Sequence, residues 1–355
     1  MWIVDFGCDM AKSDAARFER PFAHVEQHVL PERKKNRRET YAEKWWIHVE
    51  PRPALRAKMA SMARVLVTPT LTKFRLFSWC MQPTLPDHQL IVFCRDDDYF
   101  FGALHSSVHD LWSLQQGTQL ETRPRYTPSS TFETFPLPWL PGQEPSDQRA
   151  KHHTLWKAIS QAAHSLNDDR EALLNPPEAH SQAQRLVGIR YKHELEEAPA
   201  EDRPRLLYSA ALSEATTNKD LDLSTGTLTN LYNERPAWLR LAHLKLDRAV
   251  LAAYKAVDPK GDWDPAWADA YEPFGAGEIT IKEKGKGADK PEIIAAKKAA
   301  IAAREITDAR ILANLLRLNH ERARVSKSPP PAKAPKPARE GSPARPPEKS
   351  RRAKA

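Results

Sequence analysis

Glycine is scarce in this chain, with 12 in 355 residues against 30 prolines, where an average protein has about 7% glycine. The shortage limits the chemistry, because loops that wrap phosphates or adenosyl cofactors need glycine where the backbone must approach the ligand closely. Before residue 175 the only glycines are Gly7, Gly102, Gly117 and Gly142, and none stands in a GxG. The later GKGADK at 285–290 lacks the P-loop spacing. Cysteine is equally sparse. Cys8, Cys80 and Cys94 are odd in number and unpaired in spacing, which argues against a disulfide framework or a zinc site and fits a reducing cytosol. No apolar run approaches the roughly 18 residues of a membrane span. Asp5 and Asp9 sit where a signal peptide carries cations. The expectation is a cytoplasmic protein with no membrane partner.

Net charge is +8, but it is unevenly placed. Residues 322–355 hold eleven Lys or Arg and two Glu, a net of +9, which leaves the remainder near −1. A polyanion-binding surface in the folded part therefore requires local clustering of charge.

Patterning predicts an α+β fold, a small mixed sheet with helices followed by an α-helical region and a disordered basic tail. WIVDF at 2–6 reads as a short strand and 11–30 as a helix. The charged run ERKKNRRETYAEKWW reads as a second, basic helix, and 1–61 together as a helical lead-in. RVLVTP, RLFSWC and LIVFCR read as strands of a sheet over 62–96. YFFGALHSSVHDLWSLQQG reads as one buried helix ending near Gly117, and 121–141, rich in Pro and Thr, as an ordered loop. These stretches make a unit over 62–146. A helical unit follows over 147–256, with segments near 148–168, 179–195, 202–215, 224–234 and 236–255. Residues 257–290 read as an irregular insertion, 291–323 as two terminal helices, and 324–355 as a tail too polar to offset its ordering entropy.

Asn175-Pro176-Pro177 matches the start of an amino-methyltransferase NPP-aromatic site, but Glu178 replaces the aromatic that stacks on an extruded base, and Asn167-Asp168-Asp169 before it reads as a helix start. The triplet is therefore read as a proline-punctuated helix end. His105 and His109 have the i, i+4 spacing of a zinc pair without the accompanying glutamate, and read as surface or interface histidines. No catalytic residue and no metal site is assigned. Arg33, Lys34, Arg37 and Arg38, flanked by Tyr41, Trp45 and Trp46, form a basic cluster suited to phosphates. Lys73 and Arg75, with Arg123, Arg125, Tyr126 and Thr127, are candidate base readers, because arginine reaches guanine edges with two hydrogen bonds.

Taken in order, WIVDFGCDM, PFAHVEQHVLPERKKNRRETYAEKWW, TLTKFRLFSWC, LPDHQLIVFCRDDDYFFGALHSSVHDLWSL, RYTPSSTFETFPLPW and LTNLYNERPAWLRLAHLKLDRAVLAAY resemble the C-terminal half of MmeI-like site-specific adenine-N6 DNA methyltransferases. The resemblance spans about 2–255 and resumes at ITDARILANLLRLNHERA. It implies a target-recognition domain over about 62–140 and a helical segment after it, serving a restriction-modification or phage-defence system with double-stranded DNA as partner. It further implies that S-adenosylmethionine and the catalytic site belong to a domain upstream of Met1, carried on a separate catalytic polypeptide. Two rival readings remain open: a non-functional remnant of a disrupted methyltransferase gene, and a non-specific nucleic-acid binder acting through its basic tail.

Overall fold

The computed structural model describes residues 3–120, 123–175, 227–271, 279, 281–283 and 289–327. The helices expected near 179–195 and 202–215 lie outside these residues, as does the tail from 328 onward.

The N-terminal region is built from short helices: α1 (Lys12–Ala15), α2 (Glu19–His28), α3 (Leu30–Lys34), α4 (Glu39–Glu43) and α5 (Pro53–Ala60). Residues 3–6 are extended but belong to no strand, a correction to the expected WIVDF strand. Instead, Phe6 enters a small apolar cluster with Ala15, Phe22, Val25, Trp45 and Ile47. Asp5 accepts two hydrogen bonds from the Arg56 guanidinium at 2.6 and 3.1 Å, fastening this segment to α5. The expected basic helix is also broken. Asn36 Oδ1 accepts from the Arg38 amide at 3.0 Å, a local turn that competes with helix continuation.

β1 (Arg64–Pro69) lies at the centre of a three-stranded sheet, between β2 (Ser78–Met81) and β3 (Leu90–Phe93). Both pairings are antiparallel, so neighbouring strands alternate in direction, and this small sheet with its many helices makes the expected α+β fold. The middle of β1, Val65, Leu66 and Val67, is apolar because both its faces are covered. Leu66 faces the main core, whereas Val65 and Val67 face a second cluster with Met59. Thr68 lies on the Leu66 side and keeps its hydroxyl satisfied by donating to the Leu76 carbonyl at 2.8 Å.

The single helix expected after the sheet is two, α6 (Asp98–His105) and α7 (Ser107–Gln116), broken at Ser106. The side chain of Asp97 caps α6 by accepting from the Phe100 amide, and the Ser106 hydroxyl caps α7 by accepting from His109. β4 (Thr118–Leu120) and β5 (Arg123–Arg125) form a hairpin within the expected loop, and α8 (Pro128–Thr131) follows. α9 (His153–Leu174) absorbs Asn167, Asp168 and Asp169, which are mid-helix and do not start one. Next come α10 (Leu228–Glu234), α11 (Ala237–Val257) and a 3-10 turn at Pro265–Ala270. α12 (Pro291–Lys327) is one continuous helix in place of the two expected. One apolar cluster runs from Leu66 through Phe101, Leu166 and Leu246 to Leu318, so sheet, α6, α7, α9, α11 and α12 share a core. Each fully buried aliphatic or aromatic side chain there contributes about 1.5–3 kcal/mol.

A buried polar chain crosses this core. The Arg170 guanidinium on α9 donates to the Phe77 carbonyl at 3.0 Å and to Ser78 Oγ at 3.3 Å, and lies 3.0 Å from His105 Nε2. The Tyr232 hydroxyl lies 2.8 Å from both His105 Nε2 and His243 Nε2. Burial, helped by the Arg170 charge, holds His105 well below its usual range and His243 down at about 3. On α11, Asp247 accepts from the Ser107 amide at 2.8 Å and from its hydroxyl at 2.6 Å. Burial outweighs these bonds and pushes the Asp247 carboxyl up to about 7.

Two outcomes are expected. A Cβ on Gly102 would stand 2.9 Å from Ala163 Cβ and from Ile159 Cγ2, so Gly102→Ala should cost about 1–3 kcal/mol by overpacking, read as a lower urea midpoint. The raised pKa means that folding favours protonated Asp247, so its contribution is complete below about pH 4 and is lost as pH rises through about 7. The depressed His243 acts oppositely, contributing above about pH 6.5 and losing that contribution as pH falls towards 3. Asp247→Asn removes only the first effect, so it should gain stability on wild type between pH 4 and 8. Parallel urea midpoints for the two proteins over that range would refute it.

Candidate nucleic-acid interface

The basic residues singled out in the sequence divide into two exposed sets and one buried pair. The first set surrounds the β4–β5 hairpin. Leu120 pairs with Arg123, and Thr118 with Arg125. Leu71 bridges to Arg125, and the Tyr126 amide donates to the Thr70 carbonyl at 2.7 Å, so the loop leaving β1 runs alongside β5. Pro124 is tolerated because this short strand lies at an edge. Arg123 and Arg125 flank it and are both exposed. Among the described residues neither forms a salt bridge.

Lys73 is exposed nearby and donates to Asn233 Oδ1 at 2.7 Å. Its ammonium lies 4.8 Å from the Phe74 ring centroid, and the Arg235 guanidinium lies 5.3 Å from the same centroid. Phe74 thus has two cations near its ring, one from the loop after β1 and one from the end of α10. Arg235 holds the left-handed backbone conformation there, with φ of 46°. Asn233 and Arg235 were not singled out by sequence reasoning. The available signal was the basic residue placed after a helix end and before Pro236, in LYNERP.

Arg75 and Tyr126 are the buried pair, at 7% and 1% exposure. The Arg75 guanidinium donates to the Pro69 carbonyl at 2.5 Å, the Pro124 carbonyl at 3.0 Å and Thr68 Oγ1 at 3.3 Å, and it stacks 4.7 Å from the Tyr126 ring. Desolvation lowers its pKa to about 10, still cationic at neutral pH. The Tyr126 hydroxyl lies 3.1 Å from His109 Nε2. Neither side chain faces solvent, so the expectation that they read bases is corrected to one of support. Thr127 is half-buried, and its carbonyl accepts from the Ser130 and Thr131 amides at the start of α8.

The second exposed set is N-terminal. Arg33 and Lys34 close α3, while Arg37 and Arg38 lie in the link to α4. Arg38 donates to the Tyr41 hydroxyl at 2.7 Å, and Lys35 pairs with Glu32 at 2.8 Å. Lys34 and Arg37 are exposed and form no ion pair among the described residues. The two basic sets belong to different apolar clusters.

His105 and His109 lie on different helices and are buried, in place of the expected surface positions. His109 Nδ1 lies 2.8 Å from the Leu104 carbonyl. No group of three metal-ligating side chains occurs among the described residues. Asn175 ends α9, its amide donating to Glu171 at 2.7 Å, while Pro176 and Pro177 lie outside the described residues. Gly7 follows an extended segment that belongs to no sheet, and the space a side chain would take at Gly102 is filled by α9 and α11. No described helix is long and apolar enough to cross a membrane.

No protein-family model matches the chain, and neither does any curated protein sequence. Among solved structures, the type IIL restriction-modification enzyme MmeI in complex with DNA matches at a TM-score of 0.41 and 18% identity, over 86% of this chain. The chain spans 28% of that enzyme's length.

The division into exposed and buried cations has a measurable consequence. Charge reversal at Lys73 or Arg125 should shift stability by no more than about 0.5 kcal/mol. Arg75→Ala leaves three acceptors without their buried donor and should cost about 3 kcal/mol or more. Urea unfolding of the three variants decides it, and equal losses would contradict the assignment.

Proposed function

We propose that this chain is a DNA target-recognition module of an adenine-specific methyltransferase in a restriction-modification or phage-defence system. Methyl transfer and S-adenosylmethionine belong, in this reading, to a catalytic domain outside these 355 residues. The observation that carries the proposal is the hairpin, with Arg123 and Arg125 two residues apart on β5 and both exposed. Side chains at i and i+2 leave a strand on one side, about 6.6 Å apart. Successive base pairs rise about 3.4 Å, so two such arginines match the spacing of bases two steps apart. A two-stranded ribbon also fits the major groove, where arginine recognises guanine. Lys73, exposed two residues after the Leu71 that bridges to Arg125, adds a further cation. Arg33, Lys34, Arg37 and Arg38 supply phosphate contacts that set register without reading sequence. The collinear resemblance described from the sequence supports the same reading.

The test is binding to duplexes enriched from a randomised pool. Arg123→Ala with Arg125→Ala should lower affinity for the enriched duplex at least about tenfold while barely changing affinity for unselected duplex. Arg37→Ala with Arg38→Ala should weaken both equally and reduce the slope of log affinity against log salt by about 2. Deleting 328–355 should preserve the preference, whereas loss of all binding would favour the tail-driven reading. A wild-type chain that enriches no sequence would overturn the proposal.

A further inference from the structure

The buried guanidinium of Arg75 is more than a core residue, and the reason lies in what its three acceptors belong to. The Pro69 carbonyl ends β1, Thr68 lies one residue earlier, and the Pro124 carbonyl is the middle of β5. One planar group therefore ties the central sheet strand to the hairpin, at the position between the two exposed arginines. Beneath it the Tyr126 ring, next in chain after Arg125, provides a flat support at 4.7 Å. Besides Arg75, the hairpin is held by the pairing of its two three-residue strands, the Leu71 bridge, the Tyr126 amide, and the buried Tyr126 side chain against His109, Phe77 and Phe93.

The arrangement is costly. No carboxylate contacts Arg75 among the described residues, and its Nε has no hydrogen-bond partner. An apolar side chain of similar volume would fill the space without burying a charge. Lysine could not replace it, because a single ammonium has no planar fork to span acceptors on two segments.

We infer that Arg75 is a positioning residue for sequence choice, fixing the β4–β5 hairpin on the sheet so that Arg123 and Arg125 meet base edges at a set height. This rests on the DNA-reading role proposed above. Arg75 touches no base. It acts by removing the freedom of the strand that does, and a displacement of about 1 Å is enough to spoil a two-bond contact.

The experiment uses the full chain, the duplex enriched by wild type from a randomised pool, and the unselected pool as reference. The readout is the ratio of the two affinities, which does not depend on the folded fraction and which a loss of stability alone would leave unchanged. Arg75→Lys, which retains the charge, should reduce this ratio at least about tenfold with the unselected affinity and salt slope unaltered. Arg75→Gln should lower the ratio similarly. If Arg75→Lys folds and keeps the wild-type ratio, the inference is overturned while the DNA-reading role stands. If wild type enriches nothing, both fall. Amide hydrogen exchange on wild type supplies a measure independent of any variant. The Tyr126 amide should exchange slowly in the free chain, and exchange as fast as an unstructured peptide would show that the hairpin is not held, again overturning the inference.

Discussion

A buried cation with no carboxylate beside it among the described residues organises the centre of this protein. Arg170 is 1% exposed and reaches from α9 to the end of the loop entering β2, with His105 of α6 beside it. Water would solvate that charge far better than carbonyls do, so the fold must aim several dipoles at it. The Phe77 carbonyl and Ser78 hydroxyl supply two, and the Phe101 ring lies 5.8 Å from the guanidinium. His105, Tyr232 and His243 then continue as a neutral chain towards α11. An element that shifts leaves part of this network unsatisfied, which fixes the relative placement of sheet and helices more narrowly than greasy contact could.

Arg75 repeats the device at the rim. Both guanidinium groups bind backbone carbonyls, and neither forms a salt bridge among the described residues. The outcome is a graded molecule: the interior is held by cations that never meet solvent, while the edge displays Lys73, Arg123 and Arg125 outward. Net charge alone could not distinguish these roles, since a buried guanidinium and an exposed one count equally.

Where the sequence pattern was legible, one physical signal dominated. β1 reads as a strand because Val65, Leu66 and Val67 are all covered, and α11 because Leu239, Leu246, Val250 and Tyr254 recur at helical spacing. The hairpin was hidden since its strands are only three residues long and Pro124 interrupts the second. The break at Ser106 escaped because a serine inside an apolar helix reads as tolerable, although its capping hydroxyl gives it a better use at a helix start. Arg75 was assigned to the surface by its charge, yet the alternation Arg75, Phe77, Trp79 places it on the inward side of the segment, a usable clue. Arg235 lies far from the hairpin in sequence and could only be joined to it by the fold.

The last helix has a consequence for how the protein is made. Ile311, Leu315 and Leu318 complete the same core that holds Leu66, and Arg322 donates to the Leu137 carbonyl at 2.6 Å. A nascent chain emerging from the ribosome therefore exposes an unfinished apolar face until nearly all of α12 has been synthesised. A premature stop before residue 311 would release a polypeptide whose α7 and 3-10 turn lack the helix that packs on them, a substrate for proteolysis.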